Sequence, residues 1–120
     1  MYISDEVWST VTVYFDRMRV ERPGRGRPRI NRRAVLSGIV GVLLDDMSWG
    51  DVSSRIFKVS GNTCWRQFRE WVLEGVWGEI ADMLVNAWIM CGEPQWAARL
   101  IKATSERIRK MRTRRDQRDQ

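Results

Sequence analysis

Histidine is absent from this sequence. With it go the commonest general base and the commonest metal ligand. The two cysteines, Cys64 and Cys91, are too few for a structural zinc site, and they fit reduced thiols in a cytosolic chain better than a disulfide. Cys64 falls on the apolar side of its helix and reads as a small buried hydrophobe. Long apolar runs are also missing. Ile39–Leu44 is broken by Gly41 and ends in Asp45-Asp46, well short of the ~18 residues a membrane span requires. The opening Met-Tyr-Ile-Ser-Asp-Glu has neither the basic start nor the apolar stretch of a signal peptide. No glycine-rich loop has phosphate-binding spacing. Asp45 and Asp46 are adjacent on a helix, about 100° apart, and do not converge on a metal. The expectation is a chain with no catalytic residue, no metal and no cofactor, in the cytoplasm.

What is present is charge in blocks. The 120 residues carry a net charge of +6. Eight basic residues lie between Arg17 and Arg33, where Glu21 is the one acid, and nine more lie between Arg99 and Arg118. Two basic blocks around a near-neutral middle form the electrostatic footprint of a phosphate-backbone binder. Neither block carries the apolar face that would take it to a membrane surface.

The chain reads as all-α, with five to six helices. Ser4 caps a first helix over about 5–18, with Asp5 and Glu6 at its positive end. Residues 20–30 hold Pro23, Gly24, Gly26 and Pro28 among arginines and read as an extended basic arm between helices 1 and 2. A second helix is expected over about 31–45 and a short third over 49–56. A fourth runs from the Ser60 cap to Glu74, where Gly75 stops it. A fifth spans 76–90 and ends before Gly92 and Pro94, and a sixth starts near Gln95. The domain is expected to cover 1–92, with 93–120 a basic C-terminal helix and a frayed tail. Trp8, Trp65, Trp71, Trp77 and Trp88 fall on apolar stripes and are expected in the core. Trp49 is expected to be core and partly exposed, and Trp96 is the least constrained.

A short helix, a turn and a longer Ser-capped helix describe a helix-turn-helix, whose second helix reads bases in the major groove. In that helix Cys64, Trp65, Phe68, Trp71 and Val72 share the core face. Asn62, Thr63, Arg66, Arg69 and Glu70 share the other, with Gln67 at its edge and Ser60 at the cap. Arg suits guanine, Asn or Gln suits adenine, and Thr suits a phosphate or a thymine methyl; the alternative is a solvated polar face. In the arm, Arg25-Gly26-Arg27-Pro28 resembles the core of an AT-hook. Gly26 allows close approach to the minor groove, Pro28 stiffens an extended backbone, and Arg25, Arg27 and Arg29 follow the groove floor. Arg32 and Arg33 complete the basic run. The alternative here is a flexible basic linker.

Several segments in order resemble the N-terminal DNA-binding region of bacterial insertion-sequence transposases of the insertion-sequence-five type. They are Ile3–Trp8, Gly26–Arg29, Arg32–Ile39, Trp49-Gly50-Asp51-Val52, Ser60–Trp71 and Gly75-Val76-Trp77. Full-length members continue into a nuclease domain whose Asp-Asp-Glu triad binds two metals. Here the resemblance covers about residues 3–85, and the residues beyond it leave no room for such a domain, so no enzyme activity is expected. The partner implied is double-stranded DNA, so that a nucleoid-associated chain is expected, with a homodimer or a separate catalytic transposase chain also open. Three settings stay open: a transposase-derived regulator, the first reading frame of an insertion element that binds terminal inverted repeats, and a basic interaction protein for RNA or an acidic partner.

Overall fold

Side-chain caps and chain reversals set the helix boundaries. The computed structural model describes residues 2–21, 31–52 and 58–118. Its elements are α1 (Asp5–Glu21), α2 (Arg32–Asp45), a 3-10 turn (Trp49–Asp51), α3 (Gly61–Leu73), α4 (Val76–Met90) and α5 (Pro94–Arg118). Ser4 Oγ accepts from the Val7 N–H at 3.3 Å, Asn31 Oδ1 from Ala34 at 3.1 Å and Ser60 Oγ from Thr63 at 3.1 Å. Each bond satisfies an N–H that a helix start would otherwise leave unpaired. Asp46 closes α2 in the left-handed region at φ 52°, returning its N–H to the Val42 carbonyl. Gly75, at φ 76°, separates α3 from α4.

The protein is all-α across the described residues, and one core joins its helices. α2 packs on α3 and α5, and α4 packs on α1, α3 and α5. Val35, Leu36, Ile39 and Val40 of α2 are fully buried and meet Val7, Val11 and Phe15 of α1 and Ile80 and Leu84 of α4 in the same cluster. Ala97 and Leu100 are buried there too, so the C-terminal helix, which the sequence pattern sets apart, contributes to the same core. The N-terminal residues are fastened down: Ile3 is buried, the Trp88 indole N–H donates to the Tyr2 carbonyl at 2.9 Å, and the Tyr2 hydroxyl donates to Asp45 at 2.5 Å.

Four expectations are corrected. The helix expected over 49–56 is a single 3-10 turn, and Val52 is already extended (φ −66°, ψ 118°). The Asp51 carboxylate bonds back to the Ser48 N–H at 3.3 Å and closes the turn, while Val52 turns into the core; residues 53–57 lie outside the described residues. The arm expected from residue 20 starts later, because α1 runs to Glu21. The tail expected to fray is helical to Arg118. Trp96 is held edge-on by Tyr2 at 5.0 Å and by Trp88 at 6.1 Å.

α2 and α3 approach closely at one point. A Cβ on Gly38 would stand 2.6 Å from Cys64 Sγ, and Cys64 is itself fully buried. Gly38→Ala is therefore expected to destabilise by about 1–3 kcal/mol, the usual cost of overpacking. This holds even though alanine suits a helix interior about 1 kcal/mol better than glycine. Cys64→Ala removes the obstructing sulfur, so the double variant should lose less than the sum of the singles, with a coupling of about 0.5–3 kcal/mol. Urea unfolding of all four proteins tests this; additive losses would place the collision elsewhere.

Candidate nucleic-acid interface

α3 begins on a seat of backbone. A Cβ on Gly61 would come within 1.7 Å of the Trp49 carbonyl oxygen, so the first turn of α3 rests directly on the 3-10 turn. From that seat a chain of aromatic rings runs back through the molecule. Trp49 meets Trp65 at 5.8 Å and Phe68 at 5.4 Å, Phe68 meets Trp77 at 5.2 Å, and Trp77 stacks on Trp71 at 6.4 Å. Trp71 meets Phe15 of α1 at 5.4 Å. Rings packed in this way fix the axis and roll of α3 by shape, because each has few alternative orientations in a dense core.

The roll decides which side chains face outward. Cys64, Phe68 and Trp71 are buried, whereas Asn62, Arg66, Arg69 and Glu70 are exposed and Thr63 and Gln67 are half-buried. At about 100° per residue, Asn62, Arg66, Arg69 and Leu73 fall within one narrow stripe. Ser60 and Thr63 are engaged with each other, since the Ser60 hydroxyl donates to Thr63 Oγ1 at 2.9 Å while capping the helix. Cys64 lies on the inner face with its thiol pushed up to about 11 by burial, so it stays protonated at neutral pH and is no nucleophile.

Two residues that the sequence pattern does not single out belong to this surface. Lys58 is exposed just ahead of the Ser60 cap, in the left-handed region at φ 59°. Leu73 is 58% exposed and continues the outer stripe. Neither carries a sequence signal, since Lys58 sits in an unremarkable turn and Leu73 next to the apolar Val72.

The basic run expected to continue the arm is divided. Arg25, Gly26, Arg27, Pro28 and Arg29 lie outside the described residues. Arg32 donates to the Phe15 carbonyl at 3.1 Å with its guanidinium 5.5 Å from the Phe15 ring centroid. Arg33 donates to the Ile3 carbonyl at 3.2 Å and to Asp5 at 2.6 Å. Both arginines tie the start of α2 to α1. In the second block Arg107 is similarly engaged, donating to the Met47 carbonyl at 2.7 Å.

Comparison with known proteins gives this helical surface a family. The family described as "Putative transposase of IS4/5 family (DUF4096)" matches residues 3–81. The chain belongs to this family. The match takes in α1, α2, the 3-10 turn, α3 and the opening turns of α4, and it ends before α5. The "Insertion element IS402 uncharacterized 16.2 kDa protein" of Burkholderia cepacia is 33% identical over 84 residues, which is 69% of this chain and 57% of that relative. The chain thus spans little more than half the length of the curated relative it matches. No solved structure matches significantly. Among the described residues no group of three or more His, Cys, Asp or Glu could hold a metal ion, and no helix is long and apolar enough to cross a membrane.

Proposed function

We propose that this transposase-family chain binds double-stranded DNA sequence-specifically. In this reading α3, seated on the 3-10 turn, is the major-groove recognition helix, and Arg25–Arg29 serve as an arm for an adjacent minor groove. The observation that carries the reading is the outer stripe of α3. Asn62, Arg66 and Arg69 stand exposed on a helix whose inner face is locked by Cys64, Phe68 and Trp71. A rigid helix presenting guanine- and adenine-reading side chains from its first turns is suited to the major groove. Electrostatics support the orientation. Residues 74–98, beyond α3, contain four acids and no base, with Glu79 and Asp82 exposed on α4, so that surface repels phosphate and favours approach of the duplex to α3. The relative's name favours the setting of an insertion element, in which this chain binds element ends and a separate chain supplies the chemistry.

Selection from a random duplex library tests the reading. Wild type is expected to enrich one motif and to prefer it over single-stranded RNA. Arg66→Ala is expected to relax preference at one or two positions of that motif, at about 1–3 kcal/mol per lost base contact. An unchanged motif with both Arg66→Ala and Asn62→Ala would move recognition away from α3.

A further inference from the structure

α4 and α5 pack as a hairpin, and large apolar side chains stand out of its outer side. Ile89 of α4 is 54% exposed and Ile101 of α5 is 57% exposed. At about 100° per residue, Ala81, Val85 and Ile89 step along one flank of α4. The opposite flank holds Glu79, which accepts from the Tyr14 hydroxyl of α1, so the apolar flank turns away from α1. On α5, Trp96 and Arg107 occupy the flank that meets the Tyr2 ring and the Met47 carbonyl. Ala98 and Ile101 lie on the other flank, toward α4, to which α5 is joined by the Trp77 indole donating to Thr104 Oγ1 at 3.3 Å. Two apolar flanks therefore meet along the outer seam of the hairpin. Contiguous exposed apolar surface marks an interaction site.

Charge identifies the occupant. α4 carries Glu79 and Asp82 and no base, whereas residues 99–111 carry five bases against Glu106. One side of the seam is acidic and the other is basic. A two-fold axis running along the seam exchanges the sides. It lays the acidic α4 of one copy on the basic α5 of the other, and Ile101 on the apolar flank of α4. An axis across the seam would set α4 on α4, acid against acid. The level of the contacts follows from the hairpin. Trp77 bonds to Thr104, and the Trp88 ring lies 6.1 Å from that of Trp96. Antiparallel helices advance equally, so Asp82 is level with about residues 99–102. An axis along the seam preserves level, and the exposed Asp82 of one copy meets the exposed Lys102 of the other.

We infer that the outer face of the α4–α5 hairpin docks a second copy of this chain in a closed two-fold dimer. The face is self-complementary, as an isologous interface requires, and two such hairpins stack as a four-helix layer. The inference stands apart from the DNA-binding reading. Such a dimer carries two copies of α3 related by the same axis, an arrangement suited to an inverted repeat.

Sedimentation of the full chain without DNA tests it. Wild type is expected at twice the 14.2 kDa chain mass. Ile101→Glu should sediment as a monomer. Its helical content and its melt should match those of wild type at a dilution where both are monomeric. Asp82→Lys and Lys102→Asp should each weaken association about tenfold, since two symmetry-related pairs turn repulsive. Combining the two should restore the wild-type dissociation constant, which a merely structural role for either residue would not do. Wild type at the monomer mass up to ~100 µM overturns the inference and leaves the face to a different chain. An assembly that grows beyond two copies, a dimer that Ile101→Glu leaves intact, or a double swap no tighter than the single ones overturns it equally.

Discussion

Gly61→Ala is expected to lower the melting temperature by roughly 12 °C and to blur the preferred DNA motif. The added Cβ would stand 1.7 Å from the Trp49 carbonyl oxygen and 2.8 Å from its carbon. These are backbone atoms of a turn already closed by the Val52 N–H on that same carbonyl at 3.3 Å. The turn cannot yield without breaking its own hydrogen bond, and the Trp49 ring is held between Trp65 and Phe68. α3 must therefore lift off its seat. Overpacking costs typically 1–3 kcal/mol. A collision with fixed backbone belongs at the top of that range, about 3 kcal/mol, and a domain of this size loses roughly 4 °C per kcal/mol. The lift can be followed at Cys64, fully buried one turn further on. Its thiol should react slowly with an alkylating reagent in wild type and many-fold faster in the variant, while the exposed Cys91 reacts in both. A variant with wild-type melting and wild-type Cys64 protection would show that α3 does not rest on Trp49.

The sequence made legible those boundaries that single residues write. Ser60 opens α3 by its side chain, Gly75 separates α3 from α4 through a positive φ, and Gly92 and Pro94 mark the turn between α4 and α5. The outward set Asn62, Arg66, Arg69 and Glu70 followed from helical period alone, because one strongly apolar face fixes where the other must point. The destination of individual arginines was not legible. Charge blocks are visible in sequence, but carbonyl acceptors are not. Arg32, Arg33 and Arg107 each find a backbone oxygen between 17 and 60 positions away in the chain, and only the fold brings those oxygens near. The same applies to Trp96, which has no apolar stripe to announce it and is placed by Tyr2 from the other end of the chain. The 3-10 turn was not legible as such, because its closure depends on the Asp51 carboxylate reaching back to the Ser48 N–H.

These internal arginines sharpen the expected salt dependence. Duplex affinity should fall by around three orders of magnitude between ~50 and ~200 mM salt, if about 5 to 8 phosphates are neutralised. Each phosphate contact contributes ~0.9 to the slope of log affinity against log salt, and a fourfold rise in salt spans about 0.6 log units. The total therefore runs from roughly 2.7 to 4.3 log units. A basic protein attracted only through its net charge of +6 would show a shallow, curved response, because diffuse attraction is screened without a fixed count of released ions. The arginines should also separate into two groups. Arg66→Gln and Arg69→Gln remove exposed charges from α3 and should each weaken binding, by about 0.9 in slope where the lost contact is to a phosphate and by a relaxed motif where it is to a base. Arg33→Gln removes an equal charge from the same protein, but that guanidinium is committed to Asp5 and the Ile3 carbonyl. Its loss should leave the slope unchanged and appear instead as a stability decrease of about 1 kcal/mol, mainly from the unpaired carbonyl. Binding measured at five salt concentrations for the three variants decides the matter. A slope that falls equally for all three would mean that Arg33 leaves its internal partners to reach the phosphates, and a wild-type response flat across the range would remove the footprint argument altogether.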